Sequence, residues 1–196
     1  MTFSFRSVFA YDGVDCNGKN FETNIHSLGE LSNWTTSELR PRLRDWMNDE
    51  LDGAMLNPKT GIVPVVKFQQ GPGKGKYSLT TDDTVWIPSI YEVFGSGYTG
   101  GINFDTGYLD EIKYEKAFVY MRYQGRGDAI HHLPVAKRFR GREVAYWART
   151  NDLGRVSNWA DGAKVSNYMR ISASGGCQRG SLGTDSACGV VPCFCL

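Results

Sequence analysis

Tyr146-Trp147-Ala148-Arg149-Thr150 and Gly189-Val190-Val191-Pro192-Cys193-Phe194-Cys195-Leu196 bracket the stretch whose reading decides the fold. Trp147, Val190, Val191, Phe194 and Leu196 are apolar or β-favouring, so both ends read as buried strands. Between them the chain is crowded with Gly, Ser, Asn, Thr, Arg and Asp and has too few large apolar residues to bury itself. It reads as short strands and loops laid over a scaffold, a common way to build a binding surface.

Composition bounds the rest. A chain of 196 residues with 41% hydrophobic and 13% aromatic residues is long and apolar enough for one cored domain. Twenty-three glycines predict many turns and few long helices. The net charge of +1 gives no support for nucleic-acid binding or for a membrane surface. No apolar run is long enough to span a bilayer, so membrane insertion is not expected. Met1-Thr2-Phe3-Ser4-Phe5-Arg6 lacks the apolar core of a signal peptide. The expectation is assembly in the cytoplasm, with exit by lysis.

The five cysteines, Cys16, Cys177, Cys188, Cys193 and Cys195, fit a disulfide framework poorly because their number is odd. No Cys-x-x-Cys pair occurs, and His26, His131 and His132 complete no zinc pattern. Buried free thiols, no metal and no cofactor are the expectation.

Along the chain, residues 1–35 suggest strands, with turn signals at Asp12-Gly13 and Asn17-Gly18 and a hairpin tip at Cys16–Asn20. The main helix is predicted near 36–51. Thr35 or Thr36 caps it, and Leu39, Leu43, Trp46 and Met47 form one apolar stripe. Gly61–Lys67 reads as a short strand with Pro64 marking an edge or a bulge, and Gln69–Lys76 as a loop. A strand around Val85-Trp86-Ile87 ends at Pro88. Ser89 then caps a short helix over 89–94, with Glu92 three residues on as in a capping box. Residues 95–115 are Gly-rich and insertion-like, and 115–123 alternate as a strand. Arg126-Gly127-Asp128 reads as a plain turn, and the adjacent His131 and His132 face opposite ways on a strand.

Four blocks resemble one domain family of phage and bacterial surface proteins. Leu43-Arg44-Asp45-Trp46-Met47-Asn48 is similar to its Leu-Arg-x-Trp-Leu-Asn helix motif. Asp83-Thr84-Val85-Trp86-Ile87-Pro88-Ser89, followed by Glu92-Val93-Phe94-Gly95, resembles its Asp-x-Val-Phe-Leu-x-Ser…Glu-Val motif. Tyr146–Thr150 resembles Trp-Trp-Leu-Arg-Ser, and Gly189–Leu196 resembles the Gly-Val-Arg-Pro-x-Phe-x-Leu ending. Ala148, Thr150 and Val191 depart from the commoner Leu, Ser and Arg.

The resemblance implies an α+β, C-type-lectin-like fold. It makes the chain a single domain over 1–196, with 1–35 as an N-terminal strand region and 146–196 as the candidate variable binding region. It also implies a ligand-binding protein like the variable proteins of diversity-generating retroelements, in which selected Asn codons are rewritten. Such randomisation reaches Asn, Ser, Asp, Gly, Thr, Arg, Tyr and Cys but not Trp, Met, Lys, Glu or Gln. Asn151, Asp152, Arg155, Ser157, Asn158, Tyr168, Arg170, Arg179 and Asp185 are compatible outcomes, whereas Trp159, Lys164, Met169 and Gln178 would be fixed.

The expected binding face is therefore Tyr146, Asn151, Asp152, Arg155, Ser157, Asn158, Trp159, Tyr168, Arg170, Arg179 and Asp185, with core positions as the alternative for Tyr146 and Trp159. Its expected partner is a protein or glycan receptor on a host cell, engaged from a phage virion or tail. Other virion proteins and a homo-oligomer are compatible with it. The calcium-binding tripeptides of sugar-binding lectins, Glu-Pro-Asn and Gln-Pro-Asp, are absent, so no calcium site is inferred. An undiversified virion decoration protein is the alternative. An oxidase like the formylglycine-generating enzymes, using Cys188 with Cys193, is less favoured, so the chain is read as a non-enzyme.

Overall fold

The computed structural model describes residues 2–5, 7–23, 25, 34–50, 61–70, 78–94, 135–151, 168–179 and 188–195. The expectations for 95–115, 115–123, Arg126-Gly127-Asp128, His131 and His132 lie outside these residues. The described chain is mixed α+β, with small antiparallel sheets and two α-helices.

The first sheet places β12 (Cys193–Cys195) between β1 (Thr2–Ser4) and β6 (Val85–Trp86). Its register sets Phe194 opposite both Phe3 and Val85, and Cys193 opposite Trp86. The second sheet has β10 (Tyr168–Ile171) between β9 (Tyr146–Asn151) and β11 (Cys177–Arg179). Three two-stranded hairpins complete the set: β2 (Ala10–Tyr11) with β3 (Val14–Asp15), β4 (Val65–Gln70) with β5 (Ser78–Asp83), and β7 (Lys137–Phe139) with β8 (Arg142–Val144).

The turn chemistry is local. Asp12 and Gly13 have φ of 51° and 80°, the paired positive values of a type I′ hairpin turn. At the tip that follows, the Asp15 carboxylate accepts the backbone N–H groups of Asn17 and Lys19 at 2.9 and 2.8 Å. The β7–β8 turn is Arg140-Gly141, with φ of 48° and 85°. An arginine in left-handed backbone is uncommon. Its guanidinium lies 5.2 Å from the Phe139 ring centroid and reaches the Asp15 carbonyl.

Helix α1 spans Leu39–Glu50, shorter than the expected 36–51. Residues Trp34–Thr36 form a 3-10 turn instead, and Ser37 caps the helix through its Oγ, which accepts the Leu39 N–H at 3.2 Å. Thr35 and Thr36 belong to the 3-10 turn and do not cap. Leu39, Leu43 and Met47 are buried as one stripe. Trp46, expected in the core, is only half-buried at its margin, with ring centroids 4.1 Å from Phe9 and 5.9 Å from Phe5. Phe194 is likewise half-buried, against Phe5. Trp86 and Trp147 are fully buried as expected. Strand β4 begins only after Pro64 and runs through Gln70, so Gln69 and Gln70 are ladder residues rather than loop. Helix α2, Ile90–Phe94, falls where the capping signal placed it.

The sheets are joined through residues 188–191. Gly189 N–H donates to the Ala145 carbonyl at 2.7 Å, and its own carbonyl accepts Trp147 N–H at 2.9 Å. Val190 exchanges backbone hydrogen bonds with Ala10 and Phe9, both at 2.8 Å. A Cβ on Gly189 would drive into Val8 Cγ1 and crowd the Ala145 carbonyl. Overpacking a close-packed core commonly costs about 1–3 kcal/mol. Gly189→Ala should lose that much in denaturant unfolding, with little change in m-value.

Candidate functional site

The C-terminal sheet is held by a buried ionic node. Ser89 and Glu92 form the reciprocal capping box: Glu92 N–H donates to Ser89 Oγ at 3.0 Å, and Ser89 N–H donates to Glu92 Oε2 at 2.9 Å. Glu92 is only 1% exposed, so its carboxylate needs further donors. Lys67 Nζ supplies one at 2.6 Å, Trp86 Nε1 one at 3.3 Å, and Arg149 Nη2 approaches at 3.2 Å. Lys67 also lies 4.2 Å from the centroid of the Trp86 ring. Burial acts to raise the Glu92 pKa. The charges of Arg149 and Lys67, with the hydrogen bonds from Lys67 and Ser89, outweigh it and hold the carboxyl below its ordinary value of 4.5.

Strand β9 docks on the same node. Arg149 N–H donates to the Pro88 carbonyl at 3.0 Å, and Thr150 Oγ1 accepts Ile90 N–H, an N-terminal donor of α2, at 2.9 Å. Trp147 Nε1 donates to the Thr23 carbonyl at 3.0 Å. Residues Tyr146–Thr150 are all buried, so neither face of this part of β9 meets solvent. A register irregularity between the Tyr168↔Asn151 and Arg170↔Trp147 pairs accompanies that docking.

On β10 and β11 the two faces separate. Met169 and Ile171 are buried, while Arg170 is half-buried and Gln178, opposite it, is exposed. The connecting turn closes through Ser172, whose Oγ accepts Gly176 N–H at 2.9 Å. At the far end of the polar stretch, Gly189 is hydrogen-bonded to Ala145 and Trp147 at the beginning of β9.

The expected face is only partly brought together. Asn151 and Tyr168 are register partners, and Arg170 follows two residues after Tyr168. Arg179 is the register partner of Met169. Tyr146 does not belong to an exposed face. It is 0% exposed, its register partner is the buried Ile171, and its phenol donates to the Val135 carbonyl at 2.8 Å. It is a core residue, and its inclusion in the binding face is corrected. Asp152, Arg155, Ser157, Asn158, Trp159 and Asp185 lie outside the described residues.

All five cysteines are free. Cys188 and Cys193 are buried; Cys16 is exposed on its hairpin tip, and Cys177 and Cys195 are intermediate, which corrects the expectation of uniformly buried thiols. Burial, aided by the negative charge of Glu92, pushes the Cys193 thiol up to about 12. That group stays protonated at neutral pH and is a poor nucleophile. Sequence reasoning missed the Lys67–Glu92–Arg149 node. The capping box and the Arg of the Tyr146–Thr150 block were visible signals, but their meeting was not.

Comparisons of the chain with protein-family models, with curated proteins and with solved structures return no match.

Because the Glu92 pKa is lower in the folded than in the unfolded state, its ionised form contributes stability above pH 4.5 that is lost as pH falls through the folded value. Unfolding experiments between neutral and acid pH should show that loss, and Glu92→Ala should remove the Glu92 contribution to it. At neutral pH the same variant leaves the buried Arg149 and the partly buried Lys67 without their carboxylate, and should cost about 3–5 kcal/mol.

Proposed function

We propose that the chain is a ligand-binding protein that displays a diversified C-terminal surface on a C-type-lectin-like scaffold. It serves as a receptor-binding or adhesin-like component of a phage virion or tail. The observation that carries this is the way a polar stretch is mounted. Its two ends are hydrogen-bonded to one another, the β9 end is tied to a buried ionic node, and within it Arg170 is half-buried and Gln178 exposed. A scaffold of this kind tolerates changes on its outer face because the residues that hold it lie elsewhere.

Support for the family resemblance comes from the meeting of its four blocks. The stripe of α1 joins the core beside β6, Glu92 contacts Arg149, and the Gly189–Cys195 segment pairs with β1, β6 and β9. The partner is a protein or glycan on the surface of a host cell. Tyr and Arg anchors supply the binding, surrounded by adaptable Ser and Asn. The protonated, buried Cys193 disfavours the oxidase alternative.

Replacing Arg155, Trp159, Tyr168, Arg170 and Arg179 by Ala, singly and together, tests the assignment. Each anchor should weaken adsorption to host cells by about 1–3 kcal/mol, with melting nearly unchanged. Unchanged adsorption per folded molecule, with or without lost stability, refutes the proposal and leaves the undiversified decoration protein as the better description.

A further inference from the structure

A cleft of about 390 Å³ opens between the start of α1 and the bend joining β5 to β6, and no residue of β9, β10 or β11 lines it. Its size lies within the roughly 300–1,000 Å³ typical of small-molecule sites. Apolar surface comes from Pro41 and from Val85, which is itself buried. One wall is fixed by Arg40, whose Nε donates to Asp83 Oδ1 at 2.6 Å and whose Nη2 donates to the Asp82 carbonyl at 3.2 Å. Asp83 is fully engaged: its carboxylate also accepts Trp34 Nε1 at 2.8 Å and the Thr81 hydroxyl.

Other polar groups of the lining are unused. The hydroxyls of Thr35 and Thr84 and the carboxylate of Asp82 have no hydrogen-bond partner among the described residues. Arg40 Nη1 likewise has no acceptor among them. Arg44, 62% exposed, is met only by its neighbour Asp45. The charged lining residues are two arginines, Arg40 and Arg44, and two aspartates, Asp82 and Asp83, so they sum to zero. An anion finds no excess of positive charge there, and a cation no excess of negative charge.

We propose that this cleft is a second binding site, independent of the C-terminal surface, for a neutral hydroxylated ring of monosaccharide size. The chemistry matches on three counts. The exposed Pro41 ring suits the C–H face of such a ring. The Asp82 carboxylate accepts from two adjacent hydroxyls, and a guanidinium donates to their oxygens. The threonine hydroxyls do either.

The test uses the full chain, titrated separately with D-glucose, D-galactose, D-mannose and N-acetyl-D-glucosamine. Glucose 6-phosphate and glucosamine serve as charged comparators. At least one neutral sugar should bind saturably, with Kd of about 1 mM, the scale expected of about a dozen heavy atoms in an open site. The backbone amide resonances of Thr35–Ser37 and Asp82–Val85 should shift. Thr35→Trp, at an exposed position on the mouth, should weaken binding at least about tenfold, and Asp82→Ala by about three- to tenfold, with melting unchanged. Alanine substitutions at Arg170 and Arg179 should leave this binding intact, which separates it from the receptor-binding proposal. Absence of saturation by every neutral sugar up to about 50 mM overturns the assignment. So does binding indifferent to Thr35→Trp and Asp82→Ala, or a preference for either charged sugar.

Discussion

One buried carboxylate constrains the rest of the molecule. A charge is costly to remove from water, and the cost is met only when paired charges and hydrogen bonds surround it. Glu92 takes donors from its own helix cap, from β6 through Trp86 and from β4 through Lys67, and is ion-paired with β9 through Arg149. Each of these segments carries its partners with it. β6 is paired to β12 and β12 to β1, while β9 is paired to β10 and β10 to β11. A shift of β9 by one residue would turn Arg149 away from the carboxylate and bring an apolar neighbour against it. The node therefore fixes register as well as position.

That division of labour separates the parts that must stay from those that can vary. Arg170 and Gln178 stand opposite one another on β10 and β11, the first half-buried and the second exposed. The inward row contains Met169 and Ile171, both buried. If Asn codons are rewritten as proposed, neither Met169 nor Gln178 is an outcome, and of these two positions Met169 lies in the core and Gln178 faces solvent. Packing alone does not account for Gln178.

What could be read from the sequence was mostly short-range. The Ser89–Glu92 capping box, the Asp12-Gly13 turn and the Leu39, Leu43, Met47 stripe depend on neighbours within a few residues, and each has its expected structure. The start of α1 was misread because Thr35, Thr36 and Ser37 all have cap chemistry, and only tertiary contacts choose among them. Trp34 is tied to Asp83, and Trp34–Thr36 form a 3-10 turn that leaves the cap to Ser37. Tyr146 was assigned outward because tyrosine suits interfaces. Its row is set by pairing with Ile171, which no local pattern reveals. Lys67 gave no signal at all, since a lysine on a strand ordinarily reads as solvated. The cleft beside α1 was equally illegible, being made by residues from two separated segments.

The pairing of β1 with β12 bears on how the chain is made. Phe3 finds Phe194 and Ser4 finds Cys193, so β1 leaves the ribosome long before its partner is synthesised. β6 waits for the same partner, and Val190 must arrive before Phe9 and Ala10 complete their bonds. Contacts so far apart in sequence slow folding, because the intervening chain must be ordered before they form. During synthesis the edges of β1 and β6 stay open, and unpaired edges invite association with other chains. Slower elongation would lengthen that exposure without hastening its end. Emergence of the Val190–Cys195 segment, rather than growth of the early part, is the event that lets these strands pair.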